Sequence, residues 1–175
     1  MSGNAARPES AEIWRWLAEV PDPEIPVISV TDLGIVRDVA WQDDTLVVTV
    51  TPTYTGCPAT SIINLDIAKA LRDHGVERVR IERRLSPPWT SEWLSADARA
   101  KLNAYGIAPP IGGTAATGQI ANRIARLTGE SNFVVRCPRC QSGNTEKISQ
   151  FGSTPCKASY RCKDCLEPFD YFKCI

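Results

Sequence analysis

"TLVVTVTPTYTGCPATSIINLDIAKALRDHG" (residues 45–75) is the stretch whose reading decides the fold. Its first part alternates, with Leu46, Val48 and Val50 on one side of an extended segment and Val47, Thr49 and Thr51 on the other. That period of two is the mark of a strand. From Pro58, at a first-turn position, the spacing becomes helical and stops at Gly75. Cys57 lies in the turn between strand and helix. A thiol at or beside a helix N-terminus meets free backbone N–H groups and the positive end of the helix dipole, so the sequence predicts a lowered pKa and partial thiolate character. Gly56 leaves room for another group to approach. The other reading of a solitary cysteine in such a turn is apolar packing. A Cys–His nucleophile is not expected: the one histidine, His74, lies near the far end of the same helix, about 25 Å away at 1.5 Å per residue. His74 is instead expected to interact with the helix end.

Outward from this stretch, "SAEIWRWLAEV" (10–20) predicts a helix with Ile13, Trp14, Leu17 and Ala18 on one face and Ser10 as N-cap. "PDPEIP" (21–26) ends it, because proline cannot continue a helix. "GIVRDVAWQ" (34–42) adds a strand before an Asp43–Asp44 turn, and "VERVRIERRL" (76–85) alternates so that Val79 and Ile81 face the core. "SADARAKLNAYG" (95–106) predicts a short third helix, capped by Ser95 and ended by Gly106. The series predicts an α+β domain over residues 1–106, a small mixed sheet with helices on one face. Residues 107–132, opening "IAPPIGGTAATGQ", lose periodicity and read as a linker. A cysteine-rich β module is expected over 133–175.

That module carries "CPRC" (137–140) and "CKDC" (162–165). Two such knuckles at this separation bring four thiolates round one tetrahedral ion, so Cys137, Cys140, Cys162 and Cys165 are expected to hold structural zinc. So small a module needs the metal for much of its folding energy. Iron is the alternative ion; iron–thiolate knuckles usually place glycine after the second cysteine, and here Gln141 and Leu166 stand there. With "KASYR" and "EPFDYFK" as antiparallel strands, Cys156 and Cys174 fall at the end away from the metal, Cys156 roughly 20 Å from it at about 3.3 Å per strand residue. They read as buried filler or as a second, transient thiol site.

Composition narrows the function classes. The 175-residue chain is 43% hydrophobic and 23% charged, as suits a folded protein in water. It has no apolar run approaching the ~18 residues of a membrane span. The start, "MSGNAARPESAE", lacks the basic and apolar regions of a secretory signal, so the cytoplasm is expected, where clustered thiols bind metal more often than they pair. The zero net charge is divided: residues 1–110 carry 11 Lys/Arg against 15 Asp/Glu, residues 111–175 carry 9 against 5. The halves can therefore attract one another. A charge of +4 with scattered aromatics argues only weakly for nucleic acid. Neither a phosphate loop nor a nucleophile–base pair is present, so no independent enzyme is expected.

"DPEIPVISVTDLGIVRDV" (22–39) followed by "TYTGCP" (53–58) resembles the signature of the iron–sulfur assembly domain family, found in cluster-targeting and metal–sulfur biosynthesis factors. "FGSTPCKASYRCKDCLEPFDYFKCI" (151–175) narrows the resemblance to the branch that accompanies the multicomponent phenylacetyl-CoA oxygenase (epoxidase) of bacterial phenylacetate degradation. The resemblance implies an accessory role in maturing that enzyme, with its oxygenase subunits or its iron–sulfur reductase as partners and a transient iron ion or iron–sulfur cluster as cargo. The family's single cysteine falls on Cys57 and its acidic loop on Asp22 and Glu24, with Asp32 nearby. For Asp22 and Glu24 a solvated, proline-held turn is the competing expectation. One thiolate cannot hold a cluster, so a homodimer presenting two Cys57 side chains is one solution. A structural subunit of the oxygenase, without metal carriage, is the alternative.

Overall fold

The structure is a computed structural model, and it describes residues 7–111 and 134–173. Helix α1 (Ser10–Ala18) is followed by strands β1 (Val36–Gln42) and β2 (Thr45–Val50), helix α2 (Thr60–Asp73), strand β3 (Val79–Arg83), a 3-10 turn (Ser91–Trp93), helix α3 (Ala96–Ala104) and strand β4 (Ile107–Ala108). Strands β5 (Thr145–Ser149), β6 (Lys157–Cys162) and β7 (Pro168–Phe172) follow among the described residues. The first sheet runs β1-β2-β3, antiparallel then parallel. It is the expected mixed sheet of an α+β fold.

Central strand β2 is buried on both faces. Leu46, Val48 and Val50 enter the main core with Ile13 and Leu17 of α1 and Ile63, Ile67 and Leu71 of α2. Val47 and Thr49 pair across to Arg80 and Glu82 on one side and to Ala40 and Asp38 on the other. Arg80 bonds to Glu82 and Gln42, so long side chains roof the second face of the sheet. Two details of α1 depart from expectation. Its N-cap is Glu9, whose backbone N–H donates to Glu12 Oε2 at 3.3 Å, because the acidic residue three positions on is within reach; Ser10 is already helical. Ala18 is exposed, and Trp16 instead uses its flank to stack on His74 at 4.4 Å. The α2 C-cap, His74, thus packs on α1 as well as ending its own helix.

The loop from Val20 to Ile35 is held from two sides. Gly34, at φ +65°, lies so close to the 3-10 turn that a Cβ there would meet Trp93 O at 2.7 Å, and Trp89 Nε1 donates to Leu33 O at 2.8 Å. Asp32 is the second anchor: it accepts from Lys101 Nζ at 2.6 Å, Ser95 Oγ at 3.2 Å and the Ser29 N–H at 3.2 Å. Burial alone would raise this carboxyl, but Lys101, the Ser29 N–H and the Ser95 hydroxyl outweigh it and hold the pKa below its ordinary value. Because folding lowers that pKa, the stabilisation is present in full above the unfolded value of about 3.9 and is lost as pH falls through the folded one. Asp32→Asn is therefore expected to cost about 1 kcal/mol at neutral pH, solvent screening at the half-exposed Lys101 included. Urea unfolding read by tryptophan fluorescence should show that gap close as the solution is acidified. Asp32 is thus a structural anchor of α3.

Strand β4 falls in the segment expected to be linker. It pairs in parallel with β7, giving a second sheet in the order β4-β7-β6-β5. The second core holds Ala108, Val135, Cys137, Ala158, Cys162, Phe169 and Tyr171. Phe172 and Cys156, at the far end of the ribbon, belong instead to the main core, where Phe172 meets Trp89 edge-on at 6.1 Å. The β module is docked on the α+β fold through its end distal to the knuckles.

Candidate functional site

In the ribbon, both C-x-x-C turns close on backbone bonds. The Gln141 N–H donates to Cys137 O at 2.9 Å, the Cys137 N–H to Ser142 O at 2.9 Å, and the Cys162 N–H to Glu167 O at 2.9 Å. The four sulfurs of Cys137, Cys140, Cys162 and Cys165 lie within 4.8 Å of one another. The Cys137–Cys165 and Cys140–Cys162 separations are 3.7 and 3.5 Å. A tetrahedron of sulfurs about 2.3 Å from one ion has edges of about 3.8 Å, so the donor set fits such an ion. The Cys165 N–H donates to Cys162 Sγ at 3.5 Å and pulls that thiol down to about 7, whereas the neighbouring thiols push Cys140 up to about 12. Gln141 and Leu166 have φ of +60° and +63°. The knuckles thus adopt the left-handed turn that glycine makes easily, so a missing glycine says nothing against iron.

The second site centres on Cys57. The turn after β2 brings it three residues ahead of α2, where its carbonyl accepts from the Thr60 N–H at 3.2 Å; Pro58 precedes the helix rather than opening it. Cys57 is half-buried at a cleft enclosing about 440 Å³, open solvent at its mouth included. Apolar walls come from Ile25, Leu33, Ile35, Val50 and Phe172, and polar groups from Asp22, Glu24, Asn64 and Cys156. The expected lowering of the Cys57 pKa is not found. Burial pushes the thiol up, the Glu24 and Asp22 carboxylates add to the rise, and hydrogen bonds from the Ala59 N–H and the Thr60 side chain only partly offset it. Desolvation and like charge here exceed what a helix start supplies.

The acidic turn is not the solvated loop that was one expectation. Asp22 is buried, and its Oδ1 accepts from the N–H groups of Glu24 and Ile25 at 2.9 and 2.8 Å. Asp22 therefore shapes the turn, while Glu24 projects from it: Glu24 Oε2 accepts the Cys156 thiol at 3.3 Å, across 132 residues of sequence. Cys156 is 4% exposed, and burial pushes its thiol up to about 12, with Glu24 contributing. Tyr54 is raised to about 12 as well, by burial and by the charges of Cys57, Cys156 and Glu24. Sequence reasoning missed Tyr54 and Asn64. Their hydroxyl and Oδ1 are buried without a hydrogen-bond partner among the described residues, a feature no local pattern signals. Cys174 lies outside the described residues.

Comparison with known proteins now adds to the geometry. Residues 10–82 match the family described as iron–sulfur cluster assembly protein, and residues 122–173 match the PaaD zinc beta ribbon domain. A protein of Escherichia coli (strain K12), provisionally named as a subunit of 1,2-phenylacetyl-CoA epoxidase, is 48% identical over 170 residues, covering 97% of this chain and 96% of its own. The chain belongs to the PaaD family of phenylacetyl-CoA epoxidase subunits.

An Fe-S protein maturation auxiliary factor of Porphyromonas gingivalis (strain ATCC BAA-308 / W83) is 37% identical over 93 residues, 52% of this chain and 88% of its own. A solved structure, a domain of unknown function (DUF59) from Bacillus anthracis, covers 53% of this chain and 89% of its own at 30% identity and a TM-score of 0.49. Within this PaaD-family chain, the assembly match takes in Asp22, Glu24 and Cys57, and the ribbon match takes in the four knuckle cysteines and Cys156. No helix among the described residues is long and apolar enough to cross a membrane.

Proposed function

We propose that this chain is a cytoplasmic accessory factor that carries iron or an iron–sulfur cluster to the multicomponent phenylacetyl-CoA oxygenase, delivering it to the oxygenase subunits or to their iron–sulfur reductase. Cys57 is the labile ligand and Glu24 its carboxylate partner, with Asp22 shaping the turn that presents Glu24. The ribbon's four cysteines hold zinc as a structural ion. The observation that carries this reading is a half-buried thiol lining a cleft that the Glu24 and Asp22 carboxylates line as well. It is reinforced by the names of two relatives, a phenylacetyl-CoA epoxidase subunit and an Fe-S protein maturation auxiliary factor. The raised thiol pKa suits a carrier: a protonated thiol competes with the metal and eases its release.

Co-expression of the oxygenase with Cys57→Ser is the test. The variant should keep its fold and ribbon zinc while the client loses most of its iron, read by elemental analysis of the purified oxygenase. Unchanged client iron would refute carriage. A second reading, a structural role in the oxygenase assembly without carriage, is favoured by the relative's name as an epoxidase subunit. It predicts stable stoichiometric co-purification with the mature enzyme, with or without the Cys57 sulfur.

A further inference from the structure

A carrier with one thiol is chemically incomplete, and the structure supplies what is missing from an unexpected direction. The ribbon's distal end inserts Cys156 into the wall of the cleft that Cys57 and Glu24 line. We propose that Cys57, Cys156 and the Glu24 carboxylate form one binding site for a single thiophilic divalent cation, contributed jointly by the assembly fold and the ribbon of the same chain. The proposal rests on the reading of Cys57 as a metal ligand and goes beyond it by making the ribbon a donor as well as a docking module.

Three observations carry it. Cys156 is buried yet not merely packed: its sulfur contacts Glu24 Oε2 at 3.3 Å and Thr154 Oγ1 at 3.1 Å. Among the described residues, Asn64 on the same cleft has a buried Oδ1 with no hydrogen-bond partner, as has the buried hydroxyl of Tyr54, which packs against the main core. Buried oxygens are seldom left so, and a ligand is one reason they are. Finally, the donor set has the right chemistry. Two sulfurs and one carboxylate suit ferrous iron, cobalt or zinc, and exclude magnesium and calcium. Three protein ligands leave a position open, as in sites that exchange their fourth ligand, which is what handing an ion on requires. The four ribbon sulfurs are already gathered within 4.8 Å. Cys57, Cys156 and Glu24 line the same cleft but are not gathered so closely, so a rotamer change must bring them together. On binding, two S–H protons leave to solvent and two sulfur–metal bonds form; the Glu24 oxygen exchanges its S–H contact for the ion.

Cobalt(II) titrated anaerobically into the full-length, zinc-loaded chain is the probe. The Cys57→Ala/Cys156→Ala double variant gives the baseline for exchange into the ribbon. Wild type should bind one further equivalent with intense thiolate-to-metal absorption. Cys57→Ala, Cys156→Ala and Glu24→Gln should each weaken it by roughly tenfold or more, with ribbon zinc and tryptophan fluorescence unchanged. Glu24→Gln guards against misfolding, since the amide retains an acceptor for the Cys156 thiol. Cobalt binding by Cys156→Ala equal to wild type, with loss in Cys57→Ala, would overturn the joint site and leave the Cys57 carrier standing. Wild type at the baseline would overturn the joint site, while carriage by Cys57 is decided separately by the client's iron content. Recovery on mixing the two single alanine variants would show donors from different chains and overturn the site within one chain.

Discussion

Cys162→Ser is expected to release the ribbon ion and to unfold residues 134–173, while α1, α2 and α3 remain formed. Cys162 is fully buried in the second core, so its loss cannot be covered by water or a neighbour. That core has seven buried residues, two of which belong to the four-cysteine cluster. So small a core leaves the module dependent on its ion, and a structural tetrahedral ion contributes on the order of 10–16 kcal/mol, which the variant forfeits. Hydrogen exchange should show native protection across β5, β6 and β7 in the metal-loaded wild type, and none in the variant or after chelation. Wild-type protection in metal-free Cys162→Ser would refute the claim that the ion holds the ribbon.

Phe172→Ala is expected to cost about 3–5 kcal/mol and to uncouple the two halves. Phe172 is among the largest fully buried side chains, and it is buried in the core of the α+β fold although it ends a ribbon strand. Its edge-on contact with Trp89 adds an aromatic term of about 0.5–1.5 kcal/mol. With it gone, the docking end keeps the buried Cys156 with its bond to Glu24, the short β4–β7 pairing and the contact of the Ile111 N–H with the Tyr171 hydroxyl at 3.5 Å. Calorimetry of the metal-loaded protein should then resolve two transitions where wild type gives one. A single transition at the wild-type temperature would mean that the ribbon's far end is not part of the main core.

Much of the fold was legible because its signals are local. The alternation in β2, the Asp43–Asp44 turn, the Ser95 cap with its 2.9 Å bond from the Ala98 N–H and the stop at Gly106 each depend on residues within one turn of one another. The ribbon knuckles are as local, and the strand pairing from Lys157↔Phe172 to Arg161↔Pro168 is that of one short hairpin, which puts Cys156 at the end away from the knuckles as expected. Errors arose where the deciding partner lay elsewhere. Ile107–Ala108 looked like linker because two residues carry no periodicity, and only the edge of β7 makes them a strand.

The cysteine chemistry divides in the same way. The residue order alone determined that four thiols would meet at two knuckles and that Cys57 would stand between a strand and a helix, since each depends on steric rules acting over a few residues. Only the tertiary structure decided that Cys57 would carry a raised pKa and that Glu24 would hold the Cys156 thiol 132 positions away. Desolvation and long-range contact are set by whatever the packed core brings alongside, and no short window of sequence contains that information.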